Sequence, residues 1–226
     1  IQCPCGIKGN YVIPDGVTHI EENAFDYCHE LKNIKVAEGN QYFASFDGVL
    51  FSKDLTQIIR YPKAKNGKQY TIPDSVTHIC KSAFYECSVL QSIEVAEGNQ
   101  YFASIDGVLF NKDLTQIIHY SKAKNGNQYI IPDSVTHIGN EAFYNRFKLQ
   151  SIYIPNSVTH IGEKAFLSCS SLQSIEVAEG NQYFASIDGV LFNKDLTQII
   201  CYPEVKNGSK YIIPDSVTHI GDGAFY

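Results

Sequence analysis

No apolar run in the sequence approaches the roughly 20 residues that a helix needs to span a bilayer, so no membrane insertion is expected within this segment. Clustered positive charge is missing too. The 18 Lys and Arg are scattered among 24 Asp and Glu, for a formal net charge of −6. Phosphate binding needs a basic stripe, so nucleic acid is not an expected partner. Methionine is absent, and the chain opens at Ile1 without a signal-peptide pattern. It reads as a mature product or an excised fragment, with targeting information lying elsewhere. A dense disulfide framework is lacking as well. Seven cysteines is an odd number, so at least one is free or paired between chains. Cys28, Cys87 and Cys169 share one repeat position, which points to packing, while the pairing of Cys3 and Cys5 stays open. What the chain does have is 44% apolar residues over 226 positions, enough to bury a sizeable core.

Self-similarity organises that core. IPDGVTHI begins at Ile13, IPDSVTHI at Ile72, Ile131 and Ile213, and IPNSVTHI at Ile154, giving spacings of 59, 59, 23 and 59 residues. The basic unit is therefore 23 residues, and the long unit carries an added segment of 36. Leu90–Ile118 and Leu172–Ile200 are identical, while Leu31–Ile59 differs only at Lys32, Asn33, Lys35, Phe46 and Ser52. Units this alike cannot close their apolar faces alone, but neighbours close them for one another.

In the short unit, Ile152 and Ile154 alternate with Ser151 and Tyr153, the period of a half-buried strand. Pro155 ends it by removing a donor. Val158 and Ile161 point inward, Gly162 permits a bend, and Glu163 to Cys169 suits a short helical turn before Leu172 starts the next coil. In the added segment, Phe102–Phe110 and Leu114–Ile118 flank a polar turn at Asn111-Lys112-Asp113, a hairpin signature, and Asp106-Gly107 supplies a further bend. Either one coil with an appended hairpin or two unequal coils fits this pattern.

The stretch Leu149–Leu172, with Ile152, Ile154, Pro155, Val158, Ile161, Gly162, Ala165, Phe166 and Cys169 in place, closely resembles the BspA-like, or Treponema-type, leucine-rich repeat. The likeness runs from about Tyr11 to Tyr226 in five copies, with departures at Glu21, Cys80 and Arg146. It implies an α/β leucine-rich-repeat solenoid, rich in β: a right-handed coil with a parallel sheet, short helical turns and inserted β-hairpins. Residues 1–10 would then be an N-terminal segment or cap remnant. Residues 11–226 would form one solenoid domain of a longer chain. The resemblance also implies a cell-surface or secreted microbial protein that adheres to host cells or matrix.

Several repeated positions carry side chains with candidate chemistry. His19, His78, His137, His160 and His219 share the V-T-H-I motif, which raises a metal-binding or pH-sensing ladder. Only His137 and His160 lie one short repeat apart, and metal sites need further ligands, so the favoured reading is an outward polar residue copied with the repeat. Asp47-Gly48, Asp106-Gly107 and Asp188-Gly189 read as turns rather than calcium loops. Asn207-Gly208-Ser209 fits an N-glycosylation acceptor, a pattern common by chance. No nucleophile, metalloprotease or phosphate-loop motif appears, and near-identical units oppose one asymmetric catalytic centre. No enzyme, metal or cofactor is assigned. Binding is expected where the copies differ: at the outward strand position (Lys35, Glu94, Tyr153, Glu176), and at Arg60, His119 and Cys201, followed by Lys63, Lys122 and Glu204. Tyr42, Tyr101 and Tyr183 either pack the hairpins or anchor an interface. The expected partner is a host or matrix protein or a glycan, with oligomeric state open. The alternative is a structural spacer displaying another domain.

Overall fold

The computed structural model describes residues 7–206 and 210–226. Cys3, Cys5 and the acceptor-like segment Asn207-Gly208-Ser209 lie outside the described residues. The chain divides into two compact units, Ile1–Gly107 and Val108–Tyr226. A strand at Lys8–Ile13 crosses the boundary placed after residue 10 and pairs in parallel with Glu30–Val36.

The I-x-I-P alternation forms strands as expected. In the second unit Gln128–Ile130, Ser151–Ile154 and Ser174–Val177 lie side by side as a parallel ladder. Ile152, Ile154 and Ile175 are buried while Tyr153 and Glu176 face out. In the first unit Gln69–Ile72 and Ser92–Val95 pair in the same way. A second parallel ladder comes from the V-T-H-I segments. Gln57–Arg60 pairs with His78–Ile79, and Gln198–Cys201 with His219–Ile220. Gln116–His119, His137–Ile138 and His160–Ile161 form a row of three.

The added segment is a three-stranded antiparallel meander rather than a hairpin. Phe43–Phe46, Val49–Ser52 and Gln57–Arg60 make one copy, and Phe184–Ile187, Val190–Asn193 and Gln198–Cys201 another. Its last strand is the one that joins the V-T-H-I ladder. Asp188 and Gly189 both have positive φ, 51° and 76°. That is the two-residue turn whose twist matches antiparallel strands. A side chain at Gly189 would also meet Ser174 Cβ at 2.8 Å. The second reversal places Leu55, Leu114 and Leu196 in the left-handed region.

The short helical turns expected after each V-T-H-I are not formed, and no helix occurs among the described residues, so the α component of the expected α/β class is withdrawn. Successive i→i+3 turns occupy these stretches: Ala165 N–H bonds Gly162 O, and Leu167 N–H bonds Lys164 O. Left-handed Glu141, Asn145, Lys164 and Ser168 stop each turn from propagating. The carbonyls a helix would use internally go to the adjacent coil instead. Glu163 O, Ala165 O and Leu167 O accept from Glu141, Phe143 and Asn145 N–H. Those bonds offset the strain of non-glycine residues at positive φ.

Aromatic stacking supports the same registry. Phe143 lies on Phe166 with centroids 5.5 Å apart, and Tyr120 packs on Phe143 at 5.2 Å. Each fully buried ring of this size contributes about 1.5–3 kcal/mol. Buried asparagines anchor the meanders. Asn181, 0% exposed, donates to Pro155 O and Val158 O and accepts from Tyr183 and Phe184 N–H, all at 2.8–2.9 Å. Asn40 and Asn99 repeat this arrangement in the first unit.

Candidate functional site on the outward strand face

Period-two strands stacked in register turn one variable position per coil into a row, with neighbours about 4.8 Å apart. In the second unit that row is Ile130–Tyr153–Glu176, each residue the direct cross-strand partner of the next. Ile130 is 73% exposed and Tyr153 41%. A large aliphatic and an aromatic beside a carboxylate, held on a rigid sheet, offer apolar contact and hydrogen bonding with little ordering cost. In the first unit the rows are Val12–Lys35 and Thr71–Glu94. Lys35 is exposed, whereas Glu94 is half-buried and accepts from Ser104 Oγ at 3.2 Å. Ile130 was missed from sequence. Its signal was available, because Ile131 precedes Pro132 and must point inward, which turns Ile130 out.

The second variable position, where binding is expected at Arg60 and His119 because the copies differ, lies in the interior and not on an open face. Arg60 is 2% exposed. Its Nη1 donates to Ser82 O at 2.7 Å and its Nη2 to Phe25 O at 3.4 Å, with Asp26 Oδ1 at 3.8 Å. Lys63 is buried as well, donating to Asp26 O and to Glu86 Oε2, the latter at 2.6 Å. His119 is largely buried against Arg146, and burial followed by that positive charge holds its pKa well below 6.5. Cys201 is buried, and its thiol lies in the field of Cys169. Variation here follows the facing interior residue. Arg60 meets cysteines, Cys28 and Cys87, whereas His119 meets Arg146. A second buried cation facing Arg146 would be costly.

Arg60 and Cys201 do line clefts. In the first unit a cavity of about 380 Å³ is walled by Glu22, Phe25, Arg60, Cys80, Lys81 and Ser82. In the second, a cavity of about 510 Å³ uses the equivalent Glu163, Phe166, Cys201, Gly221, Asp222 and Gly223. The repeat builds one cleft twice with different linings. Cys28, Cys87 and Cys169 are buried packing residues, as their shared position indicated. Tyr42, Tyr101 and Tyr183 are exposed, and their backbones are held by the anchoring asparagines. Among the described residues no group of three or more His, Cys, Asp or Glu is placed to hold a metal. No helix among them is long and apolar enough to cross a membrane.

Parallel strands stacked coil on coil, with turns closing each coil, define the class: a leucine-rich-repeat β-solenoid. The BspA-type leucine-rich repeat region matches residues 5–63, 60–123 and 101–226 in six copies, and the chain belongs to that family. No curated protein matches it. Among solved structures it is similar to a leucine-rich cell surface protein from Faecalibacterium prausnitzii. That match has 28% identity and TM-score 0.57, and covers 97% of this chain and 51% of the other. It is also similar to the pneumococcal vaccine antigen PcpA, at 25% identity and TM-score 0.52, covering 95% and 51%. A leucine-rich repeat protein from Eubacterium ventriosum shares the fold at 20% identity and TM-score 0.52, covering 96% and 82%. The chain thus spans about half the length of the first two. No catalytic family is indicated.

Proposed function

We propose that this chain is a non-enzymatic binding module, displayed on a cell surface or secreted, that adheres to a host or matrix protein or glycan through its outward strand face. The observation carrying this reading is the in-register row Ile130–Tyr153–Glu176, an exposed apolar and aromatic pair on a rigid ladder. Exposed apolar groups set side by side, rather than scattered singly, mark interaction surfaces, and tyrosine is a frequent interface anchor. Similarity to a named cell surface protein and a vaccine antigen supports the location. The test is a binding screen of the immobilised chain against matrix proteins, serum proteins and glycans. Saturable binding that Tyr153→Ala weakens about tenfold or more supports the face, the loss typical of an interface anchor. Saturable binding that Tyr153→Ala leaves intact moves the site to the meander tyrosines or the clefts. No binding at tens of micromolar favours a spacer that displays another domain.

A further inference from the structure

The V-T-H-I histidines have a geometry that the repeat makes unequal. His137 and His160 sit on adjacent parallel strands as direct partners, and their imidazoles stack with centroids 4.7 Å apart and planes 11° from parallel. Both rings are exposed. The threonine before each histidine holds the Nδ1 side of its ring. Thr136 Oγ1 lies 3.2 Å from Thr115 O and 2.8 Å from His137 Nδ1. Thr159 Oγ1 likewise lies 3.3 Å from Thr136 O and 3.3 Å from His160 Nδ1. Each ring is therefore engaged at Nδ1 by its threonine and turns its Nε2 edge away from that contact. A metal-ligating histidine has this arrangement: one nitrogen anchored by a polar neighbour, the other free to coordinate.

We propose that His137 and His160 form a site for a borderline divalent transition ion, one of the imidazole-preferring class that includes Ni²⁺, Cu²⁺ and Zn²⁺. The two Nε2 atoms are the ligands. Gln116 is the register partner of His137 on the opposite side, and water completes the shell. Metal–nitrogen bonds of about 2.0–2.1 Å require the Nε2 atoms to close to roughly 3 Å. The stacked rings meet that by tilting toward each other, a motion open to exposed side chains. His78 and His219 hold the same threonine contact, at 2.7 and 2.8 Å. Their row partners in the preceding strand are Gln57 and Gln198, so each contributes one imidazole to its row. Two histidines meet only because the coils at Ile131 and Ile154 lack a meander between them.

The experiment is Ni²⁺ titration of the reduced chain at pH 7.5, followed calorimetrically and by the imidazole nitrogen resonances. A two-imidazole site predicts that His137→Ala and His160→Ala each weaken binding by at least about tenfold, the loss of a chelate partner held at high effective concentration. His78→Ala should leave the affinity unchanged, and Ni²⁺ should shift Nε2 of residues 137 and 160 together. Equal small losses in all three variants, or no saturable binding below a millimolar, would overturn the site.

Discussion

Asn181 concentrates more polar bonds than any other side chain around the second-unit meander, so its removal tests how that meander is held. Replacing it with alanine leaves Val158 O without its side-chain donor, Pro155 O with only the long 3.4 Å bond from Val158 N–H, and the Tyr183 and Phe184 N–H groups without the asparagine acceptor. A buried polar group left without its partner costs about 1–3 kcal/mol. Three such groups and the weakened Pro155 O, partly relieved by water entering the vacated space, give an expected loss of about 4 kcal/mol, near the upper end for single substitutions. That corresponds to a fall in melting temperature of roughly 10 °C for a chain of this size. Gln182→Ala is the matched control. Its side chain is exposed and bonds only Gly180 O, at 2.9 Å, so its effect should stay within about 0.5 kcal/mol. Asn181→Asp separates donor from acceptor loss. Its oxygen still serves the two N–H groups, but an ionised carboxylate meets two carbonyls it cannot satisfy. Burial beside those carbonyls raises the folded pKa above the unfolded value of about 3.9. The deficit is therefore full above the folded pKa and shrinks as pH falls toward the unfolded one. Urea unfolding at several pH values reads all three variants. If Asn181→Ala lies within about 1 kcal/mol of the native chain, the anchoring argument fails.

Two further outcomes follow from interior groups. His119 is held well below 6.5 by burial and by Arg146, so the unfolded chain takes up a proton there before the folded chain does. Stability from this residue is full above about pH 6.5 and falls as pH drops below it, by up to about 1.4 kcal/mol per pH unit. His119→Gln should flatten urea-unfolding curves between about pH 6.5 and 5, whereas an unchanged slope would place the acid sensitivity elsewhere. Burial pushes the Cys169 thiol up to about 11 and the Cys201 thiol up to about 12, and Cys169 Sγ donates to Phe143 O at 2.9 Å. Burial also raises Cys80, but it is half-exposed, so alkylation of the native chain mapped by mass spectrometry should label Cys80 before Cys28, Cys87, Cys169 or Cys201. Early labelling of Cys169 would contradict its burial.

Much of the fold was readable because strand alternation, prolines and the repeated Asp-Gly turn are local signals. The I-x-I-P strands, their inward isoleucines and the turn at Asp188-Gly189 all formed where the pattern put them. The brief helices were misread because Gly162-Glu163-Lys164-Ala165 has no local feature that sends its carbonyls to the preceding coil. That preference exists only once coils stack. Arg60 stands out in sequence because the copies differ there, yet it shares a strand face with Ile58, two residues earlier and fully buried, so alternation already pointed inward. A charged residue at an inward position defeats the usual rule that charge faces water. The asparagine of E-G-N-Q-Y-F looks like turn punctuation, and its anchoring role depends on carbonyls 23 and 26 residues earlier. At the outward face, sequence supplied Tyr153 and Glu176 but not that they stand beside Ile130, because register between strands is a tertiary property.

Engagement of a partner by the Ile130–Tyr153–Glu176 row is tested most directly by its side chains. Once the screen supplies a ligand, its affinity should be compared by titration for the native chain, for Ile130→Ser with Tyr153→Ala, and for Tyr183→Ala. Both are solvent-facing changes, so circular dichroism should show folding unchanged. The account predicts that the double variant loses at least about 100-fold in affinity, two anchors' worth, while Tyr183→Ala binds as the native chain does. Native affinity in the double variant would contradict it.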